Sequence, residues 1–340
     1  MNQYHSIIVG SGVTGLSLAY HLVNQGKTSV LVLDDRPHYR ASIANAGFLT
    51  KGSFQYYIKL KNEFGYKTMR VVFEKAQENV NLVKELIENL NLLKKAEWRY
   101  EGSVTCFSRE LSLENVQLAK SLNMRDLGTR SVFDPHEGSF LPLPFMVALK
   151  QYLEKRGVAF SKERYLARKG HCVKTSSELL ETEHLFLATN SLPGEIVRNR
   201  AQMISINGNL DKLENYNYYF PDDRIYLRKT CREIWIGGLR FLDQQTEKTD
   251  QLGENSKITE ALLDFYKRQF DSRATVSRKW SGIMGMRNEE LPLVQSNELE
   301  SFIGGFSGHG NGFAFVLARD LVHEVLTKES RVHPVFKGRP

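Results

Sequence analysis

The chain has 340 residues, of which 41% are apolar and 25% charged, with a formal net charge of +7 at pH 7. Such a composition excludes a disordered chain, and no apolar run reaches the ~18 residues that a membrane-spanning helix needs. Cys106, Cys172 and Cys231 form no zinc-binding or disulfide pattern, so we expect no metal site and a cytoplasmic location.

The basic side chains are dispersed and form no long run. This dispersal favours an ordinary solvated surface and predicts no nucleic-acid binding. The positive charge still permits peripheral contact with a membrane or with a partner subunit.

The N-terminal segment has the pattern of a dinucleotide-binding unit. Residues 6–9 ("SIIV") predict a buried strand, followed by GxGxxG at Gly10, Gly12 and Gly15, an amphipathic helix, and a second strand that ends at Asp34. The first glycine allows a sharp turn, the second lets the backbone approach a pyrophosphate, and the third allows close packing of helix on strand.

The helix after the glycines predicts how the phosphates are held. Val13 and Thr14 open it, and their free N–H groups and the helix dipole suit a pyrophosphate. Asp34 suits a ribose diol, and Asp34 and Asp35 together disfavour a 2′-phosphate, which argues against NADP. The motif alone leaves NAD and FAD both open.

The stretch "ASIANAGFLT" at residues 41–50 consists mainly of small residues. Together with the N-terminal unit it resembles the D-amino acid oxidase-like family of FAD oxidoreductases, which includes glycine oxidase, sarcosine oxidase and D-amino acid dehydrogenase. In that family the small-residue stretch runs beside the flavin, where small side chains allow close approach of the backbone. The resemblance therefore implies FAD, bound by residues that include Ser42, Asn45, Ala46 and Gly47.

The resemblance continues in order along the chain. In "HLFLATNSLPG", Thr189 belongs to the cofactor contacts that it implies, and Asn190 stands where the family has glycine. Asparagine tolerates the left-handed conformation, so we expect this turn to be kept. The other matching segments are 134–158, 225–240 ("IYLRKTCREIWIGGLR"), 280–294 ("WSGIMG…LPLV") and 302–315 ("FIGGFSGHGNGFAF").

The implied fold is α/β with an α+β substrate part, in which a Rossmann-like FAD-binding domain is interleaved with a mixed-sheet substrate domain. We assign 1–68, 132–200 and 288–340 to the FAD-binding domain, and 69–131 and 201–287 to the substrate domain.

Three further patterns predict elements of the substrate domain. Residues 72–93 and 259–270 have apolar side chains at helical spacing, and the aromatic-rich stretches 215–229 ("NYNYYFPDDRIYLRK") and 233–240 ("EIWIGGLR") suit antiparallel strands.

The closing motif "GFSGHGNGFAF" predicts a loop that lies against the flavin ring. Its small residues would let backbone N–H groups approach the ring, and a helix from Ala314 would add its dipole. His309 has two interpretations, a contact with the flavin edge or a hydrogen bond that holds the loop. The implied cofactor residues here are Gly305, Gly308, Gly310, Asn311 and Gly312.

The substrate pocket departs from the better-known relatives. Gly312 stands where sarcosine oxidase-like sequences have a carboxylate-binding lysine, and Met284 stands where glycine oxidase-like sequences have an arginine. Arg287 is the candidate replacement, and we assign it a catalytic role together with His309. Arg228 and Arg240 are weaker alternatives, because such arginines are more often surface charges.

Tyr218, Tyr219 and Tyr226 are candidates for the pocket wall, but aromatic residues on strands are more often used for core or cross-strand packing, which is the favoured interpretation.

The resemblance implies an enzyme that oxidises the CH–NH bond of a small-molecule amine or amino acid to an imine, with hydride transfer to flavin N5 and oxygen or a quinone-type acceptor. No cysteine lies close to "WSGIMG", so we expect noncovalent FAD. The alternative is a flavin-binding subunit of a larger dehydrogenase complex with little catalysis of its own. A third hypothesis, an NAD dehydrogenase, is supported by the GxGxxG motif alone.

Overall fold

The computed structural model describes residues 2–35, 41–192 and 194–338. The helices of this part are α1 (Val13–Asn24), α2 (Ala41–Ala44), α3 (Phe54–Asn89), α4 (Leu113–Ser121), α5 (Pro142–Lys155), α6 (Gln244–Glu247), α7 (Ser256–Gln269) and α8 (Gly310–Thr327). Short 3-10 helices cover Leu210–Lys212, Arg240–Asp243 and Pro334–Phe336. None of the helices in these ranges is long and apolar enough to cross a membrane.

The strands of the same ranges are β1 (Gln3–Val9), β2 (Val30–Leu33), β3 (Phe48–Leu49), β4 (Ser103–Cys106), β5 (Arg125–Asp126), β6 (Ser131–Asp134), β7 (Gly138–Ser139), β8 (Ala159–Ser161), β9 (Tyr165–Lys169), β10 (Cys172–Thr175), β11 (Leu179–Leu187), β12 (Val197–Asn207), β13 (Asn217–Phe220), β14 (Ile225–Lys229), β15 (Ile234–Gly238), β16 (Thr275–Met286), β17 (Leu293–Ser296) and β18 (Glu300–Gly304).

The described chain divides into two compact units. Unit 1 comprises 1–42, 143–198 and 284–340, and unit 2 comprises 43–142 and 199–283. The predicted ranges of an FAD-binding and a substrate domain stay a prediction, because they are defined by function.

Unit 1 is built on a sheet in the order β17-β18-β11-β1-β2-β8, with β10 pairing β11 and β9 pairing β10. The strands β8, β2, β1, β11 and β18 are parallel. All four residues of β2 are buried, as its unbroken apolar sequence requires in a parallel sheet. This parallel sheet with its helices confirms the predicted α/β class.

Two buried histidines hold elements of unit 1 together. Nε2 of His21 in α1 lies 3.0 Å from the Phe315 carbonyl oxygen in α8. His184 of β11 places Nε2 2.8 Å from Ser301 Oγ of β18. Burial is the main cause that lowers the pKa of each imidazole to about 4, so both rings are neutral at physiological pH.

Unit 2 contains a sheet in the order β16-β12-β15-β14-β13-β4-β6-β5. Its mixed character comes from the parallel pairing of β13 with β4 beside antiparallel neighbours. The hairpins β13–β14 and β14–β15 confirm the antiparallel strands that the aromatic-rich stretches predicted. The core of this sheet packs against α7, which confirms the helix predicted at 259–270.

The long helix α3 starts well before the predicted 72–93. It has 36 residues and begins after Ser53, whose hydroxyl accepts a hydrogen bond from Tyr56 N. Gly65 interrupts it with a left-handed φ of 83°, so α3 is two helices joined at a kink. The prediction missed the first segment because its apolar residues do not continue the pattern past the glycine.

We predict that unit 1 becomes less stable in acid. The pKa values of His21 and His184 are lowered from 6.5 to about 4, so the unfolded chain takes up protons on these rings before the folded chain does. Their contribution, up to about 3 kcal/mol each, is present above pH 6.5 and is lost as the pH falls through 4. Thermal denaturation from pH 7 to pH 4 should show a falling melting temperature.

The His21→Gln and His184→Gln variants should each have a shallower dependence of melting temperature on pH over this range. A slope unchanged in both variants would contradict the assignment.

Candidate functional site

The predicted cofactor residues of unit 1 lie at one edge of its sheet. Because β1 pairs in parallel with β2 and β11, Val9 lies beside Leu33 and Leu187. The next parallel pair places Leu187 beside Phe302 of β18. The carboxyl ends of four strands therefore meet at this edge, which is where ligands bind in open parallel sheets.

The glycine loop after β1 is held by backbone packing. Gly10 has a φ of 102°, and a Cβ there would lie 2.7 Å from the Ala188 carbonyl oxygen. A Cβ on Gly15 would lie 1.8 Å from the Gly10 carbonyl oxygen. At Gly12 the nearest neighbour of such a Cβ is Ser42 Oγ at 3.0 Å. Gly10 and Gly15 are thus required by the fold itself, whereas Gly12 is much less restricted.

The N-terminus of α1 suits an anion. Gly12 precedes the helix without a side-chain cap, and the first turn carries no acidic side chain. The N–H of Val13 donates to Ser42 Oγ at 2.9 Å, which ties Ser42 to the start of the helix. Thr14 and Gly15 complete this turn, and the positive end of the helix dipole lies here.

Asp34 lies directly after β2 and braces the glycine loop. Its Oδ2 accepts hydrogen bonds of 2.7 Å from both the N–H and the hydroxyl of Ser11. Asp35 instead is exposed, with its Oδ2 3.7 Å from Nε of Arg164. Asp34 is therefore the acid of this pair that lies against the loop.

The turn after β11 keeps the left-handed conformation that was predicted. Asn190 has a φ of 55°, which confirms the expectation drawn from its position. Its Oδ1 also accepts a hydrogen bond of 3.1 Å from Gly305 N, a contact that a glycine here would lack. The preceding Thr189 is exposed and donates to the Ser191 carbonyl oxygen.

The closing loop joins β18 to α8 through residues in the left-handed region. Gly305, Ser307 and Gly308 have φ values of 65°, 51° and 97°. Ser307 accepts from Arg287 N through its hydroxyl and donates its own N–H to the Gly285 carbonyl oxygen. The loop is thus fixed to the end of β16.

The helix after this loop begins earlier than predicted. α8 starts at Gly310 and not at Ala314, so Gly310, Asn311 and Gly312 form its first turn. His309 lies at the N-cap position without a side-chain cap, and no acidic side chain lies in the first turn. The prediction failed because two glycines near a helix start lower its helical propensity, yet packing of the buried helix overrides that cost.

The side chain of the candidate residue Arg287 already makes polar contacts within unit 1. Its side chain is only 8% exposed, its Nη1 donates to the Leu291 carbonyl oxygen at 3.0 Å, and its Nη2 lies 3.4 Å from Glu289 Oε2. These contacts fit a residue that holds its own loop. Met284 Sδ lies 3.8 Å from where a Cβ on Gly308 would be.

In unit 2 the small-residue stretch forms a tight turn. Asn45 Oδ1 accepts from Gly47 N at 2.7 Å, and Gly47 has a φ of 74°. A Cβ on Gly47 would lie 1.9 Å from the Phe140 carbonyl oxygen, so the turn packs directly on a neighbouring backbone. Ala46 is buried at the centre of this turn.

Tyr219 and Tyr226 face each other across β13 and β14. Both rings pack edge-on against Phe48, at centroid distances of 5.3 and 6.0 Å. The Tyr219 hydroxyl is 2.6 Å from Thr50 Oγ1. Burial raises the pKa of Tyr226 to about 12 and that of Tyr219 well above its usual 10, so both hydroxyls stay protonated.

The sequence reasoning missed a buried charge cluster beside this wall. Lys51 Nζ is 2.9 Å from Asp134 Oδ1 and 2.9 Å from Gln77 Oε1. Glu137 accepts from Lys51 N at 2.6 Å and is hydrogen bonded to Ser103. Lys51, Gln77 and Ser103 lie far along the chain from Asp134 and Glu137, so the cluster forms no sequence pattern.

Arg228 is also a correction to the sequence interpretation. The sequence favours a surface charge at this position, but the side chain is 1% exposed. Leu227 and Arg228 are adjacent in β14 and both are buried, so both faces of the strand are covered here and no local signal in the sequence shows that Arg228 is buried.

Comparison with known families decides the identity of the fold. The model of the DAO family, described as FAD dependent oxidoreductase, matches residues 5–324. The chain belongs to this family. The match confirms the family, the FAD cofactor and the class of enzyme that the sequence predicted. None of the curated protein sequences compared with the chain matches it.

Solved structures of DAO-type fold resemble the chain over nearly its whole length. L-proline dehydrogenase from P. horikoshii is 16% identical with a TM-score of 0.79, covering 98% of this chain and 96% of that one. L-amino acid deaminase from Proteus myxofaciens, in complex with anthranilate, is 14% identical with a TM-score of 0.77, covering 99% of this chain and 93% of that one. Glycine oxidase from Geobacillus kaustophilus is 13% identical with a TM-score of 0.77, covering 98% of this chain and 97% of that one. At these identities the likeness shows the fold alone.

The residues present in unit 1 fit the FAD of the DAO family. Gly12 leaves room at the loop, since a Cβ there would approach only Ser42 Oγ. The start of α1 holds no acid that would repel a phosphate. Asp34 supplies a carboxylate at the end of β2, the position at which this fold contacts a ribose. The roles of individual residues stay predictions.

We predict different defects for two glycine variants of the DAO loop. Gly15→Ala places a Cβ 1.8 Å from a backbone oxygen, so the melting temperature of the cofactor-free protein should fall. The Cβ that Gly12→Val adds meets only a serine hydroxyl, so that temperature should fall less than in Gly15→Ala, while FAD is no longer retained. Thermal denaturation without FAD and the FAD content after purification measure the two effects. A yellow, FAD-loaded Gly12→Val protein would contradict the assignment.

We also predict that unit 2 loses stability as the pH rises. Burial, with Asp134 as the second cause, raises the pKa of Glu137 to about 8. The unfolded carboxyl ionises near 4.5, so this contribution is complete below pH 4.5 and is lost as the pH rises through 8. Glu137→Gln should therefore lose less stability between pH 5 and pH 8 than the wild type, as measured by urea denaturation. Parallel curves for the two proteins would rule this out.

Proposed function

We propose that this DAO-family protein oxidises the CH–NH bond of an amine or amino acid to an imine, with FAD as the hydride acceptor. The observation that carries the proposal is the meeting of the glycine loop, Asp34 and the closing loop at one edge of the unit 1 sheet. The structural relatives add support, because their names specify proline, glycine and other amino acids as substrates.

The chain's own groups at this edge are assigned to the two ends of the cofactor. Bound FAD supplies N5, which accepts the hydride from the substrate carbon. The backbone N–H of Thr14 would hold the pyrophosphate, joined by that of Val13 once its hydrogen bond to Ser42 Oγ is exchanged, and Asp34 would accept from the ribose. The first turn of α8, from Gly310, would present its N–H groups to the electron-rich edge of the ring.

The proposed substrate wall of unit 2 is aromatic and neutral. Phe48, Tyr219 and Tyr226 form one packed cluster, and the two hydroxyls keep their protons because burial raises their pKa. They would orient a substrate by contact and by hydrogen bonds, and they are unsuited to remove its proton. The wall therefore fits a substrate that binds as a neutral amine.

The contacts that Arg287 already makes argue against a substrate whose carboxylate it would bind. Its guanidinium already contacts the Leu291 carbonyl and Glu289, so binding a substrate carboxylate would require these contacts to be exchanged. Gly312 and Met284 stand where relatives carry a cation. We therefore favour an amine or an N-substituted amino acid over a simple α-amino acid.

The second candidate is a flavin-binding subunit of a larger dehydrogenase complex. It is favoured by the same substitutions at Gly312 and Met284, which would matter little if a partner chain carried out the oxidation. Oxygen and a quinone remain alternative acceptors, and a cytoplasmic location remains a prediction.

We predict that the flavin of the purified full-length protein is bleached by an amine under anaerobic conditions. The substrates to test are D-amino acids, N-methyl amino acids, L-proline, glycine and polyamines, with loss of the oxidised flavin absorbance as the readout. Oxygen uptake with peroxide release would then identify an oxidase, and reduction of a quinone or dye alone would identify a dehydrogenase. A yellow protein that no amine bleaches, together with co-purification of a partner chain, would favour the second candidate.

A further inference from the structure

The side chain of Asn190 lies where separate segments of unit 1 meet. Its Oδ1 accepts a hydrogen bond of 3.1 Å from the N–H of Gly305, the first residue of the closing loop after β18. Gly305 is buried, so its N–H is shielded from water and requires an acceptor within the protein. The bond therefore ties the turn after β11 to a loop 115 residues further along the chain.

Two glycines make room for Asn190. A Cβ on Gly285, near the end of β16, would lie 2.0 Å from the Asn190 carbonyl oxygen and 3.0 Å from its Oδ1. A Cβ on Gly304, the last residue of β18, would lie 3.0 Å from Asn190 Cα. Asn190 is thus packed closely against the ends of β16 and β18.

The closing loop has two further attachments within unit 1. The side chain of Arg287 lies against Gly305, since a Cβ on that glycine would lie 2.7 Å from Arg287 Cδ. Ser307 donates its N–H to the Gly285 carbonyl oxygen at 3.0 Å and accepts from Arg287 N at 3.0 Å. Because the loop belongs neither to β18 nor to α8, its position depends on these attachments together with Asn190.

The backbone conformation alone does not require an asparagine at this turn. Asn190 has a φ of 55°, which glycine adopts at least as easily. What asparagine adds is the Oδ1 acceptor, and losing it would leave the buried N–H of Gly305 without that partner. The side chain therefore serves the closing loop and not its own turn.

We propose that Asn190 is a positioning residue that holds the closing loop in its binding conformation before the cofactor arrives. This inference rests on the proposed function, which assigns the first turn of α8, directly after the loop, to the electron-rich edge of the flavin ring. A loop that is already ordered loses less conformational entropy on binding, so FAD binds more tightly. A fixed helix N-terminus also stabilises negative charge on the reduced ring better than a mobile one.

The test compares three variants of the full-length protein. Asn190→Gly keeps the turn and removes the acceptor, whereas Asn190→Asp keeps an oxygen that can accept from Gly305. Asn123→Gly is the matched control, because Asn123 is an exposed asparagine of unit 2 with a similar left-handed φ of 58°. The readouts are amide hydrogen exchange of residues 305–312 without FAD, the dissociation constant of FAD, and the reduction potential of the bound flavin.

In Asn190→Gly the Gly305 amide should exchange about tenfold faster, and FAD should bind about three- to tenfold more weakly. The reduction potential should also be lower, a change that a role in stability alone would not produce. Asn190→Asp should keep the exchange of the wild type in the cofactor-free protein. Asn123→Gly should alter none of the three quantities.

Wild-type FAD affinity in Asn190→Gly would overturn the ordering of the loop by Asn190, and a wild-type potential would overturn its effect on the reduced ring. Exchange in Asn190→Asp as fast as in Asn190→Gly would overturn the role of the hydrogen bond. A wild-type protein that binds no FAD, or whose exchange at residues 305–312 is unchanged by FAD, would instead contradict the proposed function.

Discussion

The parallel pairing of β1 with β2 and β11 is the constraint on which the candidate site depends. It aligns Val9, Leu33 and Leu187, so the residues that follow each strand emerge at one edge of the sheet. The glycine loop, Asp34 and Asn190 are each the continuation of one of these strands. Because parallel strands are buried on both faces, the apolar sequences that create the sheet also determine where its polar chemistry lies.

Unit 2 differs from unit 1 in that it buries charged side chains. Their partners are neutral groups for Arg228 and a carboxylate for Lys51. Arg228 is gripped by two carbonyl groups and a hydroxyl, while Lys51 and Asp134 pair beside Glu137, whose raised pKa keeps it largely protonated near neutral pH. Such groups lower stability relative to apolar packing, and they are usually retained where function uses them. The opposite pH dependences expected from buried histidines in unit 1 and Glu137 in unit 2 follow from the same desolvation.

The sequence predicted those features whose physical cause is local. The glycines of the first loop and the left-handed turn at Asn190 are required by backbone geometry within a few residues, and both were recognisable. The start of α8 at Gly310 was missed, because tertiary packing outweighs the low helical propensity of glycine. The burial of Arg228 and the cluster around Glu137 were also missed, because their partners lie tens of residues away in the chain and leave no periodic signal.

The most direct test of the account is a crystal structure of the protein with FAD. The account predicts the pyrophosphate within hydrogen-bond distance of the N–H groups at the start of α1, a ribose hydroxyl on Asp34, and the flavin ring against the first turn of α8. A structure with the pyrophosphate away from α1, or with the ring away from Gly310–Gly312, would contradict it.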